Sequence, residues 1–513
     1  MRQLTPLDVQ FLALEDARNH GHVAGLGIFD PSTAPGGKLD LAAVLELVGA
    51  RIHLLPPFRW RLVEVPLGLD HPYWVEDPDF DLEYHVRELA LPEPGDERQL
   101  AEQVARLHAR RLDRAHPLWE MYVISGLAGG HVALFTKVHH AAVDGLSGAE
   151  ILAALLDLSP EGRDLPEPDA ASRADEVPGQ LGMLARGIAG LPRQPLRALR
   201  GLPRTLAHLD ANPAFRVVPG ARQVAAAVRA LPGIEVQTSD GGFLEMPQAK
   251  APRTVFNAPL SAHRRVAYSR LPLADVKKVK NAFGVTVNDV VVTVCAAAVR
   301  KVLADAGELP EEALVALVPL SVRTPEQAGT YGNRVSGMLV PIPTDVADPL
   351  ERLRHAHEVL DQAKSRHRAV PAEVMLDTAS VLPAALVTRA SRLGMALMAR
   401  LPVEPVMNLV VSNVPGPPVP LYLGGARLVA YHPISVVTDM GGLNITVFSY
   451  LDALDVGVVV DRQQLADAWL VTDAMSEALD ELLALVASTQ SDQSDQSDEA
   501  SEKPVRRRRQ QAR

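Results

Sequence analysis

Two adjacent histidines followed by an aspartate and a glycine form the pattern in this chain best suited to chemistry. The pair is His139-His140, and Asp144-Gly145 follows three residues later. A shuffled chain of this composition would hold about 0.002 such matches, so chance does not explain the pattern. An imidazole titrates near neutral pH, and its unprotonated form can take the proton of a hydroxyl group. The pattern therefore favours a general-base site.

The histidine pair lies at the end of a predicted strand, before a turn into a predicted helix. Apolar runs predict strands at 121–124 and 131–137, with a glycine-rich turn between them, and a helix from about 147 to 158. Successive strand residues point to opposite faces, so only one histidine can face a given cleft. Asp144 is close enough to fix the loop by pairing with a cation, and Gly145 permits a tight turn.

Three other interpretations compete with that of a general base. A metal site is not predicted, because no third His, Cys or carboxylate has a convincing ligand spacing. A Ser-His-Asp hydrolase would need a G-x-S-x-G turn, which we do not find, and Ser147 follows the histidines too closely to act as a separate nucleophile. Two ordinary histidines beside a turn remain the plainest alternative.

Composition excludes several classes of protein. The 513 residues carry 51 basic and 62 acidic side chains, a net charge of −11, which argues against a general nucleic-acid binder. The longest apolar run, Val290–Val299, has 10 residues, whereas a membrane-spanning helix needs about 20. The N-terminus lacks the apolar core of a signal peptide, so we expect a cytoplasmic protein. The single cysteine, Cys295, excludes disulfides and is predicted to be a buried thiol.

The chain divides into four predicted parts. Residues 1–164 and 253–487 each mix helical and strand patterns and are predicted to form two lobes. Residues 165–252 are predicted to be a linker of short helices rich in proline and arginine, with eight arginines and one aspartate between Leu181 and Ile234. Residues 488–513 repeat Ser-Asp-Gln and hold one apolar valine, so we expect a disordered tail.

The chain resembles the bacterial wax ester synthase/diacylglycerol acyltransferase family, whose HHxxxDG motif matches His139–Gly145. The family belongs to the acyl-CoA-dependent acyltransferases, together with peptide-synthetase condensation domains and chloramphenicol acetyltransferase. Matched blocks run from residue 4 to about 487. They include Leu4-Thr-Pro-Leu-Asp8, Pro117-Leu-Trp-Glu120, Asn288-Asp289, Pro319-Leu-Ser-Val-Arg323, Gly332-Asn333, Ser412-Asn-Val-Pro-Gly-Pro417 and the strand pair at 442–461.

The resemblance implies the fold and the reaction. It implies an α/β (α+β) fold of two chloramphenicol-acetyltransferase-like lobes, each a mixed sheet with packed helices, and an active-site tunnel between them. The implied reaction is O-acylation of diacylglycerol to triacylglycerol, or of long-chain alcohols to wax esters. Acyl-CoA would be the co-substrate, and no bound cofactor or metal is implied.

The resemblance also assigns roles to residues. His140 would deprotonate the acceptor hydroxyl, with His139 as its motif partner and Gly145 at the turn. Asp144 would be structural and paired with an arginine, for which Arg59 and Arg61 are the candidates. Substrate or tunnel positions are proposed for four further residues: Asn288, Asp289, Ser412 and Asn413. Helix capping is an equal alternative for Asn288, and a simple turn for the block that starts at Ser412.

Two other functions stay open at this point. A member of the same superfamily could acylate a polyketide diol or a carrier-bound group, and a different class of protein would bind lipid without catalysis. Lipid acceptors also raise the question of location. Leu181, Leu184 and Ile188 lie among the linker arginines, so this stretch is a candidate for peripheral contact with an anionic membrane or lipid-inclusion surface. Packing of the arginines against the acidic lobes is an equal alternative.

Overall fold

The architecture follows from a computed structural model that describes residues 1–142, 148–166, 179–190, 221–229, 250–321, 335–368, 405–439 and 441–501. Within these ranges, helices pack around two six-stranded mixed sheets and a small third sheet. This agrees with the predicted α/β class and with a mixed sheet in each lobe.

The N-terminal half supplies seven strands and five helices among the described residues. The strands are β1 (Arg2–Gln3), β2 (His22–Asp30), β3 (Trp60–Val63), β4 (Tyr73–Glu76), β5 (Val86–Ala90), β6 (Trp119–Ser125) and β7 (Val132–His139). The helices are α1 (Pro6–Leu14), α2 (Leu41–Arg51), α3 (Leu82–His85), α4 (Glu97–His108) and α5 (Gly148–Leu155).

The predicted linker holds two short described helices, α6 (Gln180–Gly190) and α7 (Ala221–Arg229). The remaining helices are α8 (Leu273–Phe283), α9 (Val287–Asp305), α10 (Pro349–Arg368) and α11 (Trp469–Ser501). The remaining strands are β8 (Arg264–Pro272), β9 (Leu314–Ser321), β10 (Val335–Ile342), β11 (Leu409–Val414), β12 (Tyr422–Leu423), β13 (Ala426–Ile434), β14 (Leu443–Tyr450) and β15 (Ala453–Asp461). The predicted boundary at residue 487 falls inside α11.

One sheet has the strand order β12-β13-β2-β7-β6-β5, and the other has the order β10-β9-β11-β14-β15-β8. Strand β13 comes from the C-terminal half of the chain, yet it pairs with β2 of the N-terminal half. The carbonyl of Pro433 on β13 also packs over Gly457 on β15, where a Cβ atom would overlap it. The division at residue 253 therefore does not separate the two sheets, because β13 ties them together.

Local sequence explains where key helices begin and end. Thr5 and Asp8 form a capping box around α1, whose first residue is Pro6. Helix α4 ends at His108. The buried Lys137 ammonium group donates to the carbonyls of Leu107 and Arg110, at 3.2 and 3.0 Å, and so satisfies backbone acceptors that a longer helix would have used itself.

A hydrophobic core is built around α9, whose valine-rich sequence includes the longest apolar run of the chain. Its cysteine, Cys295, is fully buried, and burial raises the pKa of the thiol to about 12, so the predicted buried thiol is confirmed. In the described part of the chain, no single helix has the length and hydropathy of a membrane span; α8 and α9 reach them only as a pair that is bent by 105°.

Candidate active site

The histidine pair lies at the end of β7, and the pleat of the strand separates the two side chains. His139 is the last strand residue and pairs with His22 of β2. The backbone N–H of His140 donates to the carbonyl of Gly21 at 2.8 Å, which extends the ladder by one residue. This continued pairing supports the predicted division of the pair: by the alternation of the strand, His140 follows the face of Val138 and Thr136, and His139 follows the face of Lys137.

The face that carries His140 borders an apolar cavity of about 230 Å³ between the two sheets. The lining residues of β2 and β7 mostly alternate, with Ala24 as the exception: Val23, Ala24, Gly25, Gly27, Phe29, Leu134, Thr136 and Val138. Helix α5 adds Ile151, Leu152 and Leu155, and the other sheet adds residues of β11 and β14 together with the bridging strand β13. The strand that leads directly into His140 is thus also a wall of an apolar binding space.

His140 is held uncharged by its surroundings. Its ring stacks on Phe11 of α1, with ring centroids 4.1 Å apart and an interplanar angle of 15°. Burial, with a smaller contribution from neighbouring His139, lowers the pKa of His140 to about 4. At neutral pH the imidazole is therefore unprotonated, which is the form that can accept a proton.

His139 has structural partners. Its side chain is 1% exposed, its Nδ1 accepts from the backbone N–H of Ala141 at 3.1 Å, and its Nε2 lies 3.5 Å from the Glu15 carboxylate. A Cβ atom at Gly21 would lie 2.7 Å from this Nε2, so a glycine is needed for the close approach of β2. These contacts fix the backbone from which His140 projects.

Glu15 is the part of this site that sequence reasoning missed. Its carboxylate lies 2.9 Å from Arg114 and 3.6 Å from Arg111. Burial opposes its ionisation, but the hydrogen bonds from His139 and Arg114 and the charge of Arg114 outweigh burial and hold the pKa of the carboxyl far below its usual range. The signal in the sequence was an acid placed directly after an apolar helix, and only its inward position in the fold shows its partner.

Two predicted motif residues, Asp144 and Gly145, lie outside the described residues. The arginines expected near Asp144 lie on a hairpin and contact other acids. Arg59 is 2.5 Å from Glu76, and Arg61 is 3.6 Å from Asp77. The pairing of either arginine with Asp144 stays a prediction.

The four predicted tunnel residues lie at two different sites, one at the cavity wall and one at the start of α9. Ser412 lines the cavity, whereas the next residue of β11, Asn413, points to the other face. There its amide lies 3.5 Å from the side-chain oxygen of Asn288.

Capping at this helix belongs to Thr286 and Asp289 rather than to Asn288. The two residues exchange hydrogen bonds at the start of α9, and Asp289 also contacts His357 at 2.7 Å. Asp289 is 1% exposed, so its visible role is to cap α9 and to tie it to α10. Among the residues that the structure describes, no cluster of three or more His, Cys, Asp or Glu side chains could hold a metal ion.

Fold and site together define a two-sheet acyltransferase scaffold with a neutral histidine beside an apolar cavity. Solved structures share this scaffold: the first condensation domain of the calcium-dependent antibiotic synthetase matches with a TM-score of 0.52 at 16% identity, over 95% of this chain and 97% of that one. A wax ester synthase/diacylglycerol acyltransferase from Marinobacter aquaeolei VT8 matches with a TM-score of 0.67 at 30% identity, over 95% of this chain and all of that one.

Sequence comparison identifies the family. The profile of the wax ester synthase/diacylglycerol acyltransferase catalytic domain matches residues 4–291, and that of the family's C-terminal domain matches residues 331–483. Two predicted diacylglycerol O-acyltransferases of Mycobacterium tuberculosis H37Rv are similar: one is 36% identical over 487 residues, covering 94% of this chain and 90% of the relative, and the other is 34% identical over 486 residues, covering 94% and 96%. The chain belongs to the wax ester synthase/diacylglycerol acyltransferase family and is an acyltransferase. The predicted family is thus confirmed.

Proposed function

We propose that the protein transfers a fatty acyl group from acyl-CoA to the hydroxyl group of diacylglycerol or of a long-chain alcohol. One observation carries this proposal: the strand that directly precedes the neutral His140 also forms a wall of the apolar cavity. Apolar walls suit acyl chains, and the imidazole supplies the one polar function that ester formation needs.

In the proposed reaction, His140 takes the proton of the acceptor hydroxyl as its oxygen attacks the thioester carbonyl. The new C–O bond forms and the C–S bond breaks. The proton passes from the imidazole to the departing sulfur, so CoA leaves as a thiol and His140 returns to its neutral form. No covalent acyl-enzyme intermediate is required.

His139 and Glu15 support His140 without touching substrate in this proposal. The contact of His139 with Glu15 joins the end of β7 to the end of α1, and the hydrogen bond from the backbone of His140 to Gly21 holds this segment beside the start of β2. Asp144 and Gly145 would shape the turn that follows, and Ser412 would contribute to the cavity wall. Asn288, Asn413 and Asp289 would position the start of α9 beside β11.

Purified protein supplied with palmitoyl-CoA and either dioleoylglycerol or hexadecanol in detergent micelles tests the function. We expect release of free thiol in step with the appearance of triacylglycerol or wax ester. Thiol release without either ester, or no reaction with both acceptors, contradicts the proposal. Acylation of a diol or of a carrier-bound group in their place favours the other superfamily activity.

We further propose that helix α6 brings the enzyme to an anionic lipid surface. Leu181 is 83% exposed and Ile188 is 53% exposed, and Arg186, which lies between them in sequence, is exposed as well. The opposite side is anchored: Met183 is buried, and Gly187 packs against Val65 and Leu69. Next to that anchor, Leu67 is 79% exposed. An outward apolar side with a cationic residue suits the boundary between headgroups and acyl chains.

Sedimentation with vesicles tests this surface. We expect the triple substitution Leu181→Ser, Arg186→Gln and Ile188→Ser to reduce binding to phosphatidylglycerol vesicles, because it removes both the apolar and the electrostatic contribution. Arg106→Gln, at an exposed arginine of α4, serves as the charge-matched control. Equal binding of the triple variant and the control contradicts the proposed surface.

A further inference from the structure

Tyr431 places at the wall of the apolar cavity a hydroxyl group that has no hydrogen-bond partner among the described residues. The residue lies on the bridging strand β13 and lines the cavity together with Gly25 of β2. Within the described structure its hydroxyl has no hydrogen-bond partner, and burial alone raises its pKa to about 12, so it stays protonated at neutral pH. By contrast, the hydroxyl of Thr446 at the same cavity donates to Asn444 at 2.7 Å. A polar group left unpaired in an apolar space costs stability unless a ligand completes it.

The position of this hydroxyl is fixed by three contacts. The backbone N–H of Tyr431 donates to the Asp455 carboxylate at 2.8 Å, and Asp455 is held in turn by Arg270 at 2.7 Å. The ring packs on Phe448 with centroids 5.1 Å apart. The hydroxyl reaches over Gly25, where any Cβ atom would overlap it. The donor is therefore preorganised for a ligand in the cavity.

The distance from this donor to His140 fits an esterified acceptor. Gly21 contacts the backbone of His140, and the Tyr431 hydroxyl lies over Gly25, four residues further along β2. Four residues of an antiparallel strand span about 13 Å. In diacylglycerol an ester carbonyl lies five bonds from the free hydroxyl, roughly 6 Å, and two hydrogen bonds of about 3 Å each bring the total to about 12 Å.

We propose that the Tyr431 hydroxyl donates a hydrogen bond to an ester carbonyl of diacylglycerol and so favours esterified acceptors over simple long-chain alcohols. This inference rests on the proposed function, since it concerns the acceptor of that reaction. A simple alcohol presents only methylene groups at this distance from its hydroxyl, and its binding leaves the Tyr431 hydroxyl unpaired. A site built to hydrogen-bond a substrate discriminates against analogues that lack the partner.

The test compares wild type with Tyr431→Phe on three acceptors, each supplied with palmitoyl-CoA. The acceptors are 1,2-dioleoylglycerol, its 1,2-dialkyl ether analogue, which has the same chains without carbonyl groups, and hexadecanol. We expect kcat/KM to fall about fivefold for dioleoylglycerol only, the loss of one neutral hydrogen bond. The unfolding temperature should not fall, because the removed hydroxyl bonds to none of the residues that the structure describes. Leu152→Val, which alters the cavity wall on α5 and removes no donor, serves as control and should change all three acceptors alike.

Two results overturn the inference: an unchanged kcat/KM for dioleoylglycerol in Tyr431→Phe, or an equal fall for all three acceptors. Failure of the wild type on every acceptor is a separate outcome, which overturns the proposed function and this inference with it. Activity of the wild type on the acceptors with no selective loss in the variant overturns the inference alone.

Discussion

The Glu15 carboxylate lies 3.5 Å from Nε2 of His139, and both side chains are 1% exposed. This contact lies at the end of β7, and His140 is the residue that directly follows this strand. It joins the end of helix α1, which carries Phe11, to the end of β7, which carries the proposed base. The ring of Phe11 and the backbone of Gly21 then hold His140 from two further sides. These three contacts position the proposed base, and the residues that make them, Phe11, Glu15 and Gly21, all lie within the first 21 residues.

Replacing Glu15 by Gln should destabilise the protein at neutral pH by about 1–3 kcal/mol, because Arg114 loses a charged partner in a buried place. The pKa of Glu15 is lowered on folding, so its contribution is present above the unfolded-state pKa and disappears as the pH falls. Urea unfolding at pH 7 and pH 4 measures this: the difference between variant and wild type should shrink at the lower pH. A difference that is constant with pH would show that the charge is not responsible.

Three histidines behind the site should make stability depend on pH. His20, His22 and His108 stack or meet edge to face, and burial lowers the pKa of each, to about 4 for His20. In the unfolded chain they take up protons near pH 6.5. The unfolded state therefore binds more protons below that pH, and stability should fall as the pH drops from 6.5 towards 4.

The urea midpoint measured between pH 4 and pH 8 checks this dependence. His22→Gln should reduce its slope, whereas His263→Asn, at an exposed histidine, should leave the slope unchanged. A wild-type midpoint that does not vary over this range would contradict the assignment of neutral buried histidines.

The buried ion pair of Arg51 and Asp157 anchors the end of α5, a wall of the cavity. The two side chains are 2.6 Å apart, and Arg51 also donates to the carbonyl of Leu155 at 2.6 Å. Arg51→Met should cost about 3–5 kcal/mol, because it leaves the buried Asp157 with an incomplete set of partners. The exposed pair of Arg106 and Glu102 is the matched control, and Arg106→Gln should cost about 0.5 kcal/mol or less. Similar losses in both variants, measured by chemical unfolding, would refute the anchoring role.

The pH dependence of turnover should lack the usual histidine inflection. Because the pKa of His140 is lowered to about 4, the base stays unprotonated well below pH 6.5. We expect kcat/KM at pH 5.5 to be within about twofold of its value at pH 7.5. Circular dichroism at each pH confirms that the protein remains folded. A fall to half activity near pH 6.5 in folded protein would contradict this environment for His140.

Much of the fold was predictable because it is encoded locally. The apolar runs predicted β6, β7 and α5 to within a few residues, and the alternation of strand residues predicted different faces for the two histidines. The pairing of β13 with β2 was not predictable in this way, since Tyr431 and its partner strand are some 400 residues apart in sequence. Hydrophobic periodicity predicts where the strands lie in the sequence, but it does not determine which strands pair with each other.

The site shows the same division. His140 stood out through its motif, whereas Glu15 and Tyr431 are ordinary residues in sequence. Glu15 gains its meaning from Arg114, about a hundred residues away, and Tyr431 gains its meaning from a glycine on another strand. Contacts of this kind depend on tertiary packing. The local patterns of one sequence do not predict that packing.

His140 is the proposed general base, and the turnover of the His140→Ala variant tests this role most directly. The variant and the His263→Ala control are assayed with palmitoyl-CoA and dioleoylglycerol or hexadecanol, and the fold of each is checked by its unfolding temperature. We predict that kcat of His140→Ala falls by about 10²–10⁴-fold with the fold retained, while the control keeps wild-type turnover. Folded His140→Ala protein that retains wild-type kcat would contradict the account.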